Sequence, residues 1–586
     1  MDRPTATSLC GLASRRATRE RHAPSNYLGN PPDRHEVRIS HKTLLIGWDG
    51  ATFDLIKPWA KAGYLPTLAR LMEQGAHGVL QAHPNMNSAA AWSSIVTGCN
   101  PGKHGVFDFG DALRTHTRTW HPTTALDRHR DPFWRILSRA GQAVDVANVP
   151  ISFPADPVNG FMISGMDTPD LESVNAAHPP GLIQSLRAAG IEYILDVPNL
   201  KETQRRDPYR CPAMVRAMVE ARTRTCLHFM DQHAWDALMA VYVATDRMQH
   251  VFWGARDDLV DPTWTPLREL YVLLDEHLNR LIERAGENTT VLVISDHGFG
   301  RNSPDKLQLN PMFEQMGWLK YRPVTTSVQG QLLKNFLVYG RRYLPQHLQF
   351  YLAARYPRWR QRALSQRNLG NLDWAHTLIF HPGGESVFVN LEGRGPHGIV
   401  SLDHYDSVCE KARALILELT DPVSGKPLAK QVYRRNEIYH GDFVDRAPDL
   451  VIEWDAKSAP NGMRWDGGAE PLIIPPRPAN RNSWSGTHRS EGIFIAHGPH
   501  IRRNAQIDRM LQYDIAPTLL YLQGVPLPND LDGRVLTELF EPSFLREHPI
   551  SSAAPAAPTV SAAAEELSQQ DAALIETRLR DLGYIE

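Results

Sequence analysis

Very little is in excess in this 586-residue chain, and its shortages narrow the possibilities. Charge of one sign is missing: 63 Lys and Arg stand against 65 Asp and Glu, a net charge of −2. So balanced a chain has no bulk attraction for nucleic acid, and nucleic-acid binding is not expected. No apolar run approaches the roughly 20 residues of a membrane-spanning helix. The first residues contain no hydrophobic stretch of the secretory type, which predicts a cytoplasmic protein. Cysteine is scarce, with Cys10, Cys99, Cys211, Cys226 and Cys409 widely spaced and odd in number. That pattern predicts free thiols in a reducing compartment rather than a disulfide framework. There is no Cys-x-x-Cys pair to hold a metal, and no Gly-x-Ser-x-Gly elbow, which argues against a Ser-His-Asp hydrolase. The glycine-rich stretch at 383–398 lacks the Lys-Ser/Thr of a phosphate-binding loop, and no internal repeat is evident.

What is present is the mix of a globular protein, 42% hydrophobic and 22% charged, long enough for one large or two to three ordinary domains. Residues 1–40 are polar and Arg-rich without apolar periodicity and read as a disordered leader. From Thr43 onward apolar runs alternate with amphipathic stretches. Strands are predicted at Thr43–Gly47, Ala143–Val149, Ala237–Ala244, Thr290–Ser295 and Gly492–Ala496. Continuous apolar strands of this kind are buried on both faces, which predicts an α/β/α sandwich around a mostly parallel sheet. Pro262–Ala285 carries Leu267, Leu270, Leu273, Leu274, Leu278 and Leu281 at helical spacing.

Residues 333–372 differ, with eight Lys or Arg, no acid, and interleaved aromatics such as Phe336, Tyr339 and Trp359. A solvated face of a helical cap is the plainer reading. The sharper one is a basic aromatic face beside the active site, drawing in a large anionic substrate or touching an anionic lipid surface peripherally. The expected organisation is a first catalytic part at 41–310, a helical basic cap at 311–372, a second catalytic part at 373–545, a linker at 546–563 and a C-terminal helix at 564–586.

Three predicted strands end in metal-binding residue types. Asp49 follows TLLIGW, Asp246 follows ALMAVYVAT, and the pair Asp296-His297 follows TTVLVIS. Open α/β sheets place their sites at the carboxyl ends of strands. Asp246 and His250 are one helical turn apart and can reach one ion, while Asp296 and His297 can serve another. Two divalent cations so placed would stabilise both the attacking and the leaving oxygen of an in-line displacement, and Asp plus His suits Zn²⁺ or Mn²⁺. Ser88 stands just before the helix-like run AAAWSSIV. There it reads equally as an ordinary N-cap or as a nucleophile in the favourable field of a helix start.

The passages LLIGWDGATFDLI, SAAAWSSIVTGCNPGKHGVFDF, ATDRMQHVFW, VISDHGFG, WSGTHRSEGIFIAHGP and DIAPTLLYLQGVPLP resemble the alkaline phosphatase superfamily, in its type I phosphodiesterase and nucleotide pyrophosphatase branch. The resemblance runs over most of residues 43–540. It implies one metal held by Asp246, His250 and His488, and a second by Asp49, Asp296, His297 and the nucleophile Ser88. His488 enters the set through the resemblance alone. The implied activity is a phosphohydrolase or phosphodiesterase working through a phosphoserine on a phosphorylated small-molecule or lipid-linked substrate. The alternatives are a cofactor-independent phosphomutase of the same superfamily and a non-catalytic binding protein.

Nucleotide pyrophosphatases usually carry Thr as nucleophile and an Asn about twenty residues later that donates to a phosphate oxygen. Here these positions hold Ser88 and, in HGVFDF, Asp108 followed by Phe109. Asn87, Lys103 and Asp108 are therefore the expected substrate-binding residues, and His104 an expected structural residue. Cys99 in CNPGK approximates the sulfatase signature, but it falls after the helix rather than before it, and a Lys closes the motif.

Overall fold

The computed structural model describes residues 41–582 apart from 111–120, 199, 201–202, 204–205, 255–258, 260, 302–306, 323–368, 396, 456–461, 469, 475–484 and 556–566. The expected leader, nearly all of the basic aromatic segment and the later part of the linker lie outside the described residues.

The main sheet runs, edge to edge, Ala505–Gln506, Ala76–Gln81, Glu491–His497, Thr289–Ile294, Lys42–Trp48, Ala237–Tyr242, Val144–Ala147, Met162–Ile163 and Ala177–His178. Met510–Leu511 also pairs with Ala76–Gln81. The central strand, Lys42–Trp48, is parallel to both neighbours. Glu491–His497 is antiparallel to both of its own. Ala237–Tyr242 and Thr289–Ile294 are buried at every position, the pattern of strands covered on both faces. All five predicted strands are present, with ends within two residues. The predicted helix begins with a short 3₁₀ turn at Pro262–Trp264 and continues as Thr265–Ala285, with its six leucines buried. The C-terminal helix spans Gln569–Leu582 and sets Ile575, Leu579 and Leu582 into the main core.

One expectation is corrected. Among the described residues the main sheet does not resume near residue 373; its next strand there is Glu491–His497. In between, Ala429–Arg434, Leu450–Trp454, Ser386–Val389 and Ile379–Gly383 form a separate antiparallel sheet in that order. The helix Leu402–Glu418 packs over it and adds Cys409, Ala412 and Ile416 to a second core that reaches from Leu309 to Met463. An apolar run reveals a strand but not which sheet will pair it, so the insertion looked shorter than it is. This smaller unit grips the main one around residues 83–107. Tyr439 stacks on His83 at 4.8 Å, Asn100 Nδ2 donates to the Ile438 carbonyl at 2.8 Å, and Phe443 N donates to Gly102 O at 2.8 Å.

Gly47 lies in the central strand because nothing larger fits: a Cβ there would stand 2.4 Å from Trp92 Cη2 and 3.1 Å from Val241 Cγ2. Gly47→Val should therefore destabilise the fold by about 1–3 kcal/mol, the usual cost of overpacking. Urea denaturation followed by circular dichroism measures this, and an unchanged midpoint would contradict the packing described.

Candidate active site

In-register pairing brings the strand ends together. Gly47 lies opposite Val241 on one side and Ile294 on the other, so Asp49, Thr245-Asp246 and Asp296 emerge side by side. Asp49 N donates to the Tyr242 carbonyl at 3.1 Å, which ties two of these ends directly. The chain turns away at Gly50, whose φ of +68° suits glycine. Asp246 enters the helix Ala244–Phe252, and His250 follows one turn later on the same face. His488 arrives from far along the chain, on the short strand Gly486–Arg489 paired antiparallel to Gly298–Arg301.

The resulting cluster is tight. Asp49, Asp296 and His297 each offer a ligand atom within 4.8 Å of the others, and so do Asp246, His297 and His488. His250 Nε2 stands 3.3 Å and His488 Nε2 3.2 Å from Asp246 Oδ1. His297 Nε2 stands 3.3 Å from Asp296 Oδ2 and 3.7 Å from Asp49 Oδ1. The His297 and His488 rings stack at 3.7 Å.

Two observations suit this cluster to a cation. Each histidine presents Nδ1 to a backbone carbonyl: His250 to Gly486 at 3.0 Å, His297 to Gly298 at 2.9 Å and His488 to Met86 at 3.1 Å. A carbonyl can only accept, so Nδ1 carries the proton and Nε2 is left as a lone pair, the arrangement typical of metal-ligating histidine. Second, among the described residues the buried Asp49 Oδ1 and Asp296 Oδ2 have no hydrogen-bond partner. Their other oxygens are held, Asp49 Oδ2 by Trp92 Nε1–H at 3.0 Å and Asp296 Oδ1 by Gly50 N at 3.1 Å. A buried carboxylate oxygen left bare is costly unless a cation meets it.

The proton affinities follow. Burial, then the nearby Asp296 and Asp246, raises the Asp49 carboxyl well above its usual range. Burial, then Asp246, raises Asp296 to about 7. Burial and His297 lower His488 to about 3.

Ser88 opens the helix Ser88–Thr97 but is not its cap. Asn87 is the N-cap, its Oδ1 accepting from Ala89 N at 2.9 Å. The Ser88 hydroxyl is thereby released to face His297 Nε2 at 3.2 Å. Asn87 Nδ2 donates to Asp108 Oδ1 at 2.7 Å, so these two expected substrate-binding residues meet one position from the serine. Lys103 is placed differently. Its ammonium, on the short helix Pro101–His104, pairs with Asp532 and donates to the Asp530 carbonyl rather than turning to the seven-residue cluster. His104 is fully buried, accepting from Val106 N and meeting Ser94 Oγ at 3.0 Å, as a structural residue would.

Sequence reasoning missed Trp92, and it missed Arg247 and Asp196, which back Asp246. Nothing in the sequence singles out an indole or an Arg for such a task, although Arg247 stands next to Asp246.

The family model for type I phosphodiesterase / nucleotide pyrophosphatase matches residues 43–490. The chain belongs to that family. It is thus a hydrolase of phosphate esters in the alkaline phosphatase superfamily. Among solved structures, phosphonoacetate hydrolase from Sinorhizobium meliloti 1021, in complex with phosphonoformate, aligns at TM-score 0.50 and 13% identity over 83% of this chain and 95% of that one. Human ectonucleotide pyrophosphatase / phosphodiesterase 5 aligns at TM-score 0.47 and 14% identity over 85% of this chain and 100% of that one. At such identities the likeness concerns fold. No curated protein matches the chain. Among the described residues, no helix is long and apolar enough to cross a membrane.

If this cluster binds cations, Zn²⁺ or Mn²⁺ at a hundredfold excess over its Kd should stabilise the chelator-treated protein by about 2.7 kcal/mol. Differential scanning calorimetry should show the rise in wild type and much less of it in Asp296→Asn. An unchanged melting temperature with both metals would remove the metal-centre reading.

Proposed function

We propose that this family member is a metal-dependent phosphohydrolase or phosphodiesterase that works through a phosphoserine at Ser88. The observation that carries this reading is the Ser88 hydroxyl: relieved of capping by Asn87, it lies 3.2 Å from His297 Nε2 at the start of a buried helix. The residues that would hold the ions are Asp246, His250 and His488 for one and Asp49, Asp296 and His297 for the other. Two bound divalent cations, Zn²⁺ or Mn²⁺, would supply Lewis-acid stabilisation of the attacking and departing oxygens.

In the proposed reaction the Ser88 hydroxyl gives up its proton to solvent and Oγ bonds to phosphorus, as the ester oxygen opposite it departs with its electron pair and takes up a proton from water. Water then attacks the phosphoserine, and Oγ leaves, restoring the hydroxyl. The helix N-terminus favours the phosphate's negative charge throughout. Asn87 and Asp108 stand beside the serine, where they would meet the substituents of the phosphate. The substrate class is a phosphorylated small molecule, including nucleotide or lipid-linked diesters. A superfamily phosphomutase would use the same serine, with a second substrate hydroxyl in place of water. A panel separates them: release of nitrophenol from mono- and diesters against isomerisation of sugar phosphates without release of phosphate.

Ser88→Ala should lose roughly a thousandfold or more in kcat, as deletion of a nucleophile commonly does, while metal content stays at the wild-type value. Steady-state kinetics and elemental analysis check this together. An alanine variant with wild-type turnover on every active ester would rule Ser88 out as nucleophile.

A further inference from the structure

Behind Asp246 lies a buried chain of charges that the reaction scheme does not use. Arg247 Nη1 donates to Asp246 Oδ2 at 2.7 Å. The far side of the same guanidinium clasps Asp196, Nη2 to Oδ2 at 2.7 Å and Nε to Oδ1 at 3.3 Å. The side chains of Arg247, Asp196 and Asp246 are 1%, 3% and 0% exposed. A guanidinium so enclosed is costly to bury, and breaking such a pair from one side is costly too. The arrangement divides the work of the two Asp246 oxygens. Oδ2 is taken by Arg247, while Oδ1 faces the Nε2 atoms of His250 and His488 at 3.3 and 3.2 Å.

We propose that Arg247, backed by Asp196, is a positioning residue that restricts Asp246 to a single metal-facing oxygen and so sets the affinity of the Asp246–His250–His488 site. The proposal rests on the two-metal reading above. A cation beside a metal centre would ordinarily weaken it by repulsion. Asp196 cancels that charge from the other side, so orientation is what Arg247 contributes. The planar fork of Arg suits this bridging of two carboxylates, and the single point donor of Lys does not.

The test uses the full chain as wild type, Arg247→Gln, Arg247→Lys and Asp196→Asn. Zn²⁺ stoichiometry and affinity are read by competition with a chelator of known strength, and melting of the metal-free proteins is recorded beside them. Wild type should bind two ions. Arg247→Gln should hold one as before and bind the other ten- to a hundredfold more weakly, the usual effect of losing an outer partner of a ligand. Arg247→Lys should recover only part of this. Asp196→Asn, which exposes the Arg247 charge, should weaken the same ion. A purely structural role would lower melting in the metal-free state and leave both affinities alone, and that result overturns the proposal. Tighter binding in Arg247→Gln also overturns it, since charge rather than orientation would then dominate. If Arg247→Gln does not fold, Arg247→Lys decides, since it keeps the charge and loses the bridging fork: weakening of one ion supports the proposal and unchanged affinities refute it. A wild type that binds no ion would defeat the two-metal reading itself, a result distinguishable from all of these.

Discussion

Three carboxylates at the ends of three adjacent strands, each shielded from water, are the constraint from which the rest of this structure follows. Asp49, Asp246 and Asp296 are all 0% exposed. Like charges in a medium of low dielectric repel strongly, and each also forfeits its hydration. The fold answers with donors aimed at particular oxygens: the Trp92 indole, the Gly50 amide and the Arg247 guanidinium. What it leaves unanswered, Asp49 Oδ1 and Asp296 Oδ2, faces a histidine whose proton is committed elsewhere. The deficit of positive charge is local and directed, and a bound cation would answer it.

The same constraint explains features that otherwise look like packing detail. Gly47 is small so that Trp92 can lie across the strand and reach Asp49. Gln249 donates to the Gly50 carbonyl and accepts from the Tyr271 hydroxyl, so the helix bearing Asp246 and His250 is tied both to the turn after Asp49 and to the long helix beside it. The smaller unit joins this scheme at the loop that precedes Ser88. His83 N is held by Gln512, whose amide also donates to the Asp296 carbonyl, while Tyr439 stacks on the His83 ring. The loop that precedes Ser88 is thus braced from the main sheet and from the insertion at once.

Much of this was legible in the sequence. The strands showed because burial on both faces writes uninterrupted apolar runs, and the acids showed because they stand where those runs stop. Ala76–Gln81 was not read, since its six residues AHGVLQ include His, Gly and Gln and alternate in burial as an outer strand does. The long insertion was under-read because its antiparallel strands are short and carry no sign of which sheet they join. His488 was found by family likeness, since nothing in twenty-five histidines marks one as returning to the sheet end. Lys103 stands in PGKHG as an expected donor to phosphate, yet its partner is Asp532, 429 residues away, a contact that no motif announces. Arg247 and Asp196 were invisible because their meaning lies in a contact 51 residues apart, not in a motif.

Ser88 shows why such contacts decide function. Asn and Ser are about equally good N-caps, so the sequence NS at a helix start leaves open which residue caps and which is free. The structure gives the cap to Asn87, and the consequence is chemical rather than structural. A capping serine would have its oxygen committed to a backbone amide. A serine one position later lies inside the first turn, where unpaired amides and the helix dipole favour negative charge, and its oxygen points to His297. Moving the cap by one residue would retain nearly the same helix stability and withdraw the hydroxyl from the cluster. The order Asn-Ser, rather than the presence of a serine, is what brings this hydroxyl to the cluster, where the proposed phosphoryl transfer would use it.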